Sequence, residues 1–436
     1  MKILLFGNSA REHIIAETLC RNRETELHSY IKAKNPGIVA LSKSFEIGSY
    51  GDLDKIKDFA KRIRPDFAFI GPEDPLGNGV ADLLEELGIS SIGPKKILAQ
   101  LETSKSFTRN LLQKYEIDAS PKFKAFTKEN INEAKKFLDE IEKCVVKPDG
   151  LTGGKGVKVQ DDHFKTKEEA LAYCREVLQS HPRVIIEEKL EGEEFSLMFF
   201  IDGKTVVPMP CVQDHKRAFD DDKGPNTGGM GSYSCSNHLL PFLEKKDVDE
   251  GIEITKKVAD ALFKETGQYY KGIMYAGLIA TKNGVRLIEY NARFGDPEAM
   301  NVLSVLETDL VAISTAIIKQ ELRKLNISFS NKATVCKYIV PRGYPDNPVK
   351  EEKIEITKLP KGAKIYYASV DKKEDGLYLS SSRAVACIGI SENLEDAEKI
   401  AEEATASIKG PVFHRKDIGT KKLIEKRILN MKKIRD

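Results

Sequence analysis

Residues 284–298 read GVRLIEYNARFGDPE. Val285 to Arg293 has the pattern of a strand. Alternation puts Glu289, Asn291 and Arg293 on one face, with Ile288, Tyr290 and Ala292 on the other. A carboxylate and an amide oxygen two residues apart can grip one hard divalent cation. The arginine beside them can hold an anion bound to that cation. Such an arrangement suits a magnesium-bound triphosphate. Glu and Asn are depleted in strands, so their presence in a buried-looking strand asks for a reason. The plain alternative is a polar strand face in solvent.

The 436 residues around this stretch suggest two to four domains. KILLFG (2–7) reads as a short buried strand ending in glycine, and Arg11 to Cys20 as a helix. DFAFIG (66–71) and ISSIG (89–93) are further strand candidates, with the helical ADLLEELG between them. Strands alternating with helices predict a parallel, doubly wound, Rossmann-like N-terminal domain over 1–102. A second domain is expected over 103–328, opening on the helical SKSFTRNLLQKYE (104–116). Within it, about 121–190 reads as a small α+β lid module. Its strands are KFKAF, CVVKP, GVKVQ and RVIIEEKL, and its helices are INEAKKFLDEIE and KEEALAYCREVL. EEFSLMFFID and KTVVPMP begin a larger, mostly antiparallel sheet, which 273–281 and 285–292 continue after a helix over roughly 247–266. Beyond Asn326 the strands KATVCKYIVP, AKIYYASV and AVACIGI, with the helix LEDAEKIAEEATASI, predict a C-terminal α+β domain over 329–436. The fold class is thus α/β and α+β, multidomain.

Hydrophobic residues at 41% and charged residues at 31% describe a soluble globular protein. A formal net charge of +2 excludes reading the whole chain as a nucleic-acid binder. The basic run KKLIEKRILNMKKIRD at the C-terminus is read as a solvated helical face. The seven cysteines form no CxxC pair and have no histidine at zinc-finger spacing, so they are expected to be free thiols in a reducing cytosol. The histidines are scattered, and no His-rich metal site is visible. The apolar run at the N-terminus is too short for a signal peptide, and no segment is long enough to span a bilayer. A cytoplasmic location, without membrane or nucleic-acid partners, is the expectation.

KPDGLTGGKGV (147–157) places Lys147 at a strand end before a loop with Gly150, Gly153, Gly154 and Gly156. Glycines let backbone N–H groups approach phosphate oxygens closely, and Lys147 and Lys155 add charge. The GxxxxGK[ST] spacing of a Walker A loop is absent, and an ordinary Gly-rich hairpin is the alternative. IIEEKLEGEEFS (185–196) can serve an adenosine: Glu187, the backbone of Lys189 and Leu190, and Glu194 match its amine, ring edge and ribose hydroxyls. Solvated strand-end carboxylates are the alternative there. DHKRAFDDDKGPNTGGMGSYS (214–234) is too polar for core and reads as a functional loop, or as disorder. GPEDPLGNG (71–79) and GNSAREH (7–13) follow strands at the edge where open α/β sheets bind ligands. Glu73, Asp74 and Asn78 suit a polar ligand there. A lone glycine in GNSAREH does not make the GxGxxG fingerprint of a nicotinamide site.

Taken together, GNSAREH, GPEDPLGNG, KPDGLTGGKGV, EEKLEGEEFS, DHKRAFDDDKGPNTGGMG and NARFGDPE resemble the phosphoribosylamine–glycine ligase family, ATP-grasp enzymes of purine biosynthesis. FHRKDIG (413–419) extends the resemblance to the C-terminal domain. The first loop is poorer in glycine than is common in that family. The phosphate loop departs from its usual KADGLAAGKGV at Pro148 and at Thr152 and Gly153, which bears on loop conformation and removes no charged group.

The resemblance implies that ATP, glycine and 5-phosphoribosylamine give glycinamide ribonucleotide, ADP and phosphate through glycyl phosphate. It also implies roles. Glu289 and Asn291 would hold Mg2+ (or Mn2+), and Arg293 would neutralise the γ-phosphate or the glycine carboxylate. Lys105 and Lys147 would contact ATP phosphates, with residues 150–156, including Gly153, Gly154, Lys155 and Gly156, closing as a lid. Glu187, Lys189, Leu190 and Glu194 would hold adenosine. Asp214 and Gly295 are candidates for glycine; Gly7, Glu73, Asn226 and Thr227 for phosphoribosylamine. Arg293, Lys147 and Asp214 are the expected catalytic residues. A monomer is expected, with a dimer as the alternative. Other readings are an ATP-grasp ligase with a different substrate pair, a nicotinamide-dependent oxidoreductase and a non-catalytic scaffold.

Overall fold

The apolar run Lys2–Phe6 is the middle strand of a five-stranded parallel sheet. Its neighbours are Glu26–Ile31 on one side and Phe67–Ile70 on the other, with Ser44–Ile47 and Ser90–Ile92 at the edges. A strand covered on both faces has no need of polar alternation, which explains why KILLF reads as continuous core. The order of strands reverses at Lys2–Phe6, so the loops after it and after Phe67–Ile70 open side by side at one sheet edge. The structure, a computed structural model, describes residues 1–151 and 156–436. The expected phosphate contacts at Gly153, Gly154 and Lys155 therefore lie outside the described residues.

The lid module is a four-stranded antiparallel sheet ordered Phe123–Phe126, Val184–Glu188, Cys144–Pro148, Lys158–Val159. Helices Ala134–Glu140 and Lys167–Ser180 cover it, and Thr166 caps the second by accepting from Glu169 N. Phe126, Phe137, Val146, Cys174 and Ile186 form its own core, separate from the main one. A second four-stranded sheet runs Val206–Pro208, Glu193–Ile201, Gly272–Thr281, Gly284–Asn291, all antiparallel. Helix Lys245–Thr266 stops at Gly267, whose φ of +69° supplies the left-handed cap.

One correction concerns the strand Gly284–Asn291. Gly277 pairs with Glu289 but Leu278 pairs with Leu287, so Ile288 is an extra residue and the strand carries a β-bulge. Val285, Leu287 and Tyr290 are buried, a change of parity at the bulge. Ile288 therefore lines the site cavity instead of sharing a face with the buried Tyr290.

The polar stretch 214–234 is ordered by strand pairing. Gln213–Asp214 pairs with Gly231–Ser234, which pairs in turn with Ala333–Pro341 of the C-terminal region. Val385–Ser391 and Ala363–Tyr367 continue this sheet. Between them Arg217–Phe219 and Lys223–Asn226 form a hairpin. The basic helix Lys421–Arg435 leaves Lys421 and Lys422 in solvent but buries Leu423, Ile424 and Met431 and pairs Arg427 with Asp222. Among the described residues no helix is long and apolar enough to cross a membrane.

Candidate active site

The bulged strand, the lid strand Cys144–Pro148 and the N-terminus of helix Lys105–Lys114 bring one group of cations together. Ser104 caps that helix by accepting from Phe107 N, which fixes Lys105 at its first turn. Lys105 Nζ donates to Gly150 O at 2.8 Å, at the start of the glycine-rich loop. Lys147 Nζ donates to Glu187 Oε2 at 2.6 Å. Lys216 Nζ lies 3.7 Å from Glu289 Oε1 and 3.8 Å from Glu194 Oε2. Burial pushes the Glu289 carboxyl up, but Lys216, Lys147, Lys105 and Arg293 outweigh it and hold the group below its ordinary value. Glu289 thus stays ionised among four cations.

Glu187 needs a refinement. Its side chain is buried, and both oxygens are taken: Oε1 accepts from Arg109 Nε (2.7 Å), and Oε2 from Arg109 Nη2 (3.2 Å) and Lys147. Burial raises its pKa, yet Arg109 and Lys147 bring it down to about 2. The side chain is 4% exposed, so the carboxylate is turned to Arg109 and Lys147 and not to the open cleft. Glu194, by contrast, is exposed beside the cleft. Leu190 is half-buried, and Lys189 Nζ donates to Gln160 O at 3.1 Å.

Asn291 is oriented by its neighbours. With the amide turned to suit those neighbours, its NH2 donates to Glu102 Oε1 (3.1 Å) and Tyr290 O (3.3 Å), and the amide oxygen is the atom left for a cation. A carboxylate and an amide oxygen suit Mg2+, which takes its remaining ligands from phosphates and water. Among the described residues no group of three His, Cys, Asp or Glu side chains is placed to hold a metal alone.

Arg293 sits between carboxylates from two other segments. Its Nη2 lies 2.7 Å from Glu102 Oε1 and its Nε 3.3 Å from Glu73 Oε2. Burial raises Glu73, but Arg293 and Arg11 bring it down to about 2. Glu102, fully enclosed, is pushed up to about 7 despite Arg293. The short helix that begins at Glu73 is thereby tied to the end of strand Gly284–Asn291.

Asp214 and Glu298 form a second feature. Burial, and then the Glu298 carboxylate, push Asp214 well above the usual carboxylate range, against Lys216. Ser196 Oγ donates to Glu298 Oε1 at 2.9 Å and meets Tyr275 OH at 2.8 Å. A small cavity is lined by Ser196, Asp214, Lys216, Tyr275 and Ile288. Two glycines make room for the pair. A Cβ at Gly229 (φ +102°) would lie 2.7 Å from Asp214 Oδ1, and one at Gly295 would collide with Glu298.

Thr227 is held by its N–H and Oγ1 on Lys216 O (2.8 and 2.9 Å), and Asn226 ends the hairpin strand beside it. Gly7 (φ +128°) leaves no room for a Cβ against the Glu12 side chain, a packing reason for glycine there. Gly156 (φ +85°) accepts from Tyr173 OH.

Sequence reading missed several partners. Arg383, from the C-terminal region, donates to Gly228 O (2.5 Å), Gly229 O (2.9 Å) and Asp296 O (3.2 Å), and lies over the Tyr338 ring. Arg109, Glu102, Lys216 and Glu298 were not singled out either. Lys216 and Glu298 stand inside quoted motifs; Arg109, Glu102 and Arg383 carry no local signal, because distant segments give them their partners. FHRKDIG acts on the hairpin: Arg415 pairs with Asp222 and Asp417, and Lys416 N donates to Asp220 Oδ1.

Three family models match this chain: the N domain of phosphoribosylglycinamide synthetase over 1–102, its ATP-grasp (A) domain over 103–299 and its C domain over 334–421. The phosphoribosylamine–glycine ligase of Methanocaldococcus jannaschii is 51% identical over 445 residues, covering all of both chains. That of Pyrococcus furiosus is 48% identical over all of this chain and 98% of its own length. The crystal structure of phosphoribosylamine–glycine ligase from Thermotoga maritima superposes with a TM-score of 0.80 at 27% identity, over 96% of this chain and all of that one. A biotin carboxylase domain of Hydrogenobacter thermophilus 2-oxoglutarate carboxylase, solved with MgADP and bicarbonate, shares the fold at a TM-score of 0.73 and 17% identity, over 99% of this chain and 93% of that one. With both the models and the full-length relatives in agreement, the chain belongs to the phosphoribosylamine–glycine ligase family of ATP-grasp enzymes.

Proposed function

We infer that this chain uses ATP to join glycine to 5-phosphoribosylamine, giving glycinamide ribonucleotide, ADP and phosphate, a step of purine biosynthesis. The observation that carries the inference is the convergence of Lys105, Lys147, Lys216 and Arg293 on Glu289, next to the paired carboxylates Asp214 and Glu298. A carboxylate resists attack by an amine because oxide is a poor leaving group. Transfer of the γ-phosphoryl from ATP to a glycine carboxylate oxygen releases ADP and makes glycyl phosphate. The amine of phosphoribosylamine then attacks the acyl carbon, loses a proton and expels phosphate. Positioning and charge neutralisation supply most of the catalysis in such a transfer.

The roles proposed for the residues are those the resemblance implies, with the geometry as support. Lys105 and Lys147 are the proposed partners of the ATP phosphates, and Arg293 and Lys216 of the transferring group. Glu289 and the Asn291 oxygen are the proposed ligands of magnesium, or of manganese, which when bound neutralises charge on the phosphates. Leu190, Lys189 and Glu194 line the proposed adenosine site. The Asp214–Glu298 pair is the proposed seat of the glycine ammonium, since a cation between them relieves their repulsion. Glu73, Asn226, Thr227 and the loop after Gly7 face the proposed phosphoribosylamine side. Residues 150–156 are the proposed lid, and exclusion of water would protect glycyl phosphate.

The test is ADP release measured with each substrate omitted in turn. The reading requires glycine and phosphoribosylamine together. Equal turnover with another amino acid would remove glycine from the assignment.

A further inference from the structure

Arg109 stands on helix Lys105–Lys114, four residues after Lys105, and its side chain is 3% exposed. Its guanidinium makes four hydrogen bonds to two different sheets. Nε and Nη2 donate to the two oxygens of Glu187 on the lid strand Val184–Glu188. Nη1 donates to Leu287 O at 2.9 Å and Nη2 to Ile288 O at 2.8 Å. Ile288 is the bulge residue that has dropped out of the ladder with Gly272–Thr281, and Leu287 before it still pairs with Leu278 on what is an edge strand of the sheet. Buried carbonyls at a sheet edge or a bulge need donors, and Arg109 supplies them to Leu287 and Ile288. Leu287 N also donates to Ala119 O at 2.7 Å.

We propose that Arg109 is the positioning residue that sets the triphosphate-binding groups relative to one another. This rests on the assignment of Lys147 and Glu289 to the nucleotide and its metal. Arg109 pins the bulge from which Glu289 projects one residue later. Through Glu187 it holds the carboxylate on which Lys147 rests. Through its own helix it is rigidly spaced from Lys105. One planar fork thus spans three carriers of the nucleotide site, a geometry that a lysine ammonium cannot reproduce.

The test uses the full-length enzyme with Arg109→Lys and Arg109→Met. Calorimetric affinity for ADP is measured with and without Mg2+, together with kcat and the KM for each substrate and the thermal midpoint. The expected result for Arg109→Lys is a folded protein whose KM for MgATP rises by about tenfold while the KM for glycine stays within about twofold. The factor by which Mg2+ tightens ADP should fall by about fivefold or more. Arg109→Met should go further in both directions, with a still higher KM for MgATP and a still smaller magnesium factor. A folded Arg109→Lys protein with parental MgATP KM and parental magnesium factor would overturn the proposal. So would an equal rise in all three KM values, which is the mark of general loosening. If neither variant folds, Arg109 serves only the fold and the proposal fails. Normal glycine and phosphoribosylamine dependence in the parent, measured in the same series, keeps failure of this proposal distinct from failure of the ligase reading.

Discussion

Glu102 and Arg293 form a buried pair, Oε1 to Nη2 at 2.7 Å, while the other Glu102 oxygen accepts from Ala292 N at 2.7 Å. One carboxylate therefore holds both the backbone and the guanidinium at the end of strand Gly284–Asn291, and its Oε1 takes the Asn291 amide when that amide is turned to suit its partners. Removing it by Glu102→Ala should leave a buried arginine with a single acidic neighbour and an unpaired N–H. A loss of about 3 kcal/mol of stability is expected, read as a fall in the urea midpoint. Glu102→Gln should keep most of the stability but lower kcat, because a neutral amide holds Arg293 less firmly. A Gln variant with parental kcat would show that the pair is only structural.

Glu289→Ala should abolish turnover while leaving circular dichroism and thermal midpoint close to parental, since the side chain is half-open to the cleft and pairs only loosely with Lys216. Near-normal activity would refute the metal role.

Asp214→Asn removes one of two crowded carboxylates. The KM for glycine should rise by about ten- to a hundredfold, the size of a lost charge-assisted contact, with the KM for MgATP little changed. A selective rise in the MgATP KM would move Asp214 to the nucleotide instead.

His13 gives a pH prediction. Its ring is stacked on Tyr367 at 5.6 Å, and Nδ1 accepts from Tyr367 N at 2.9 Å, joining the N- and C-terminal regions. Burial lowers its pKa from 6.5 to about 4. Between those values the unfolded chain binds a proton that the folded chain refuses, so its contribution is full above about pH 6.5 and lost as pH falls towards 4. The shift corresponds to at most about 3 kcal/mol. His13→Gln should flatten the fall in thermal midpoint between pH 6.5 and 4. An unchanged slope would mean that the imidazole is already charged in the folded protein.

The parallel N-terminal sheet was legible from short apolar runs alternating with helices, and the lid module and the antiparallel central sheet from the order of their strand-like and helical segments. Strands Glu26–Ile31 and Ser44–Ile47 were not, since ELHSYI and SFEI carry polar residues that only their neighbours make tolerable. The bulge at Ile288 was invisible to a rule of strict alternation, because it is fixed by pairing with Gly272–Thr281 and by Arg109. The stretch 214–234 read as loop because its order comes from Ala333–Pro341, a hundred residues away in sequence. For the site, motif residues came from resemblance, while Glu102, Arg109 and Arg383 emerge only when distant segments meet.

A crystal structure with magnesium, a non-hydrolysable ATP analogue and glycine tests the central claim most directly. The account predicts a cation between the β- and γ-phosphates, bound by the carboxylate of Glu289 and the amide oxygen of Asn291 at about 2.0–2.1 Å, with the glycine carboxylate facing the γ-phosphate. A cation held elsewhere, with those two side chains turned away from the phosphates, would contradict it.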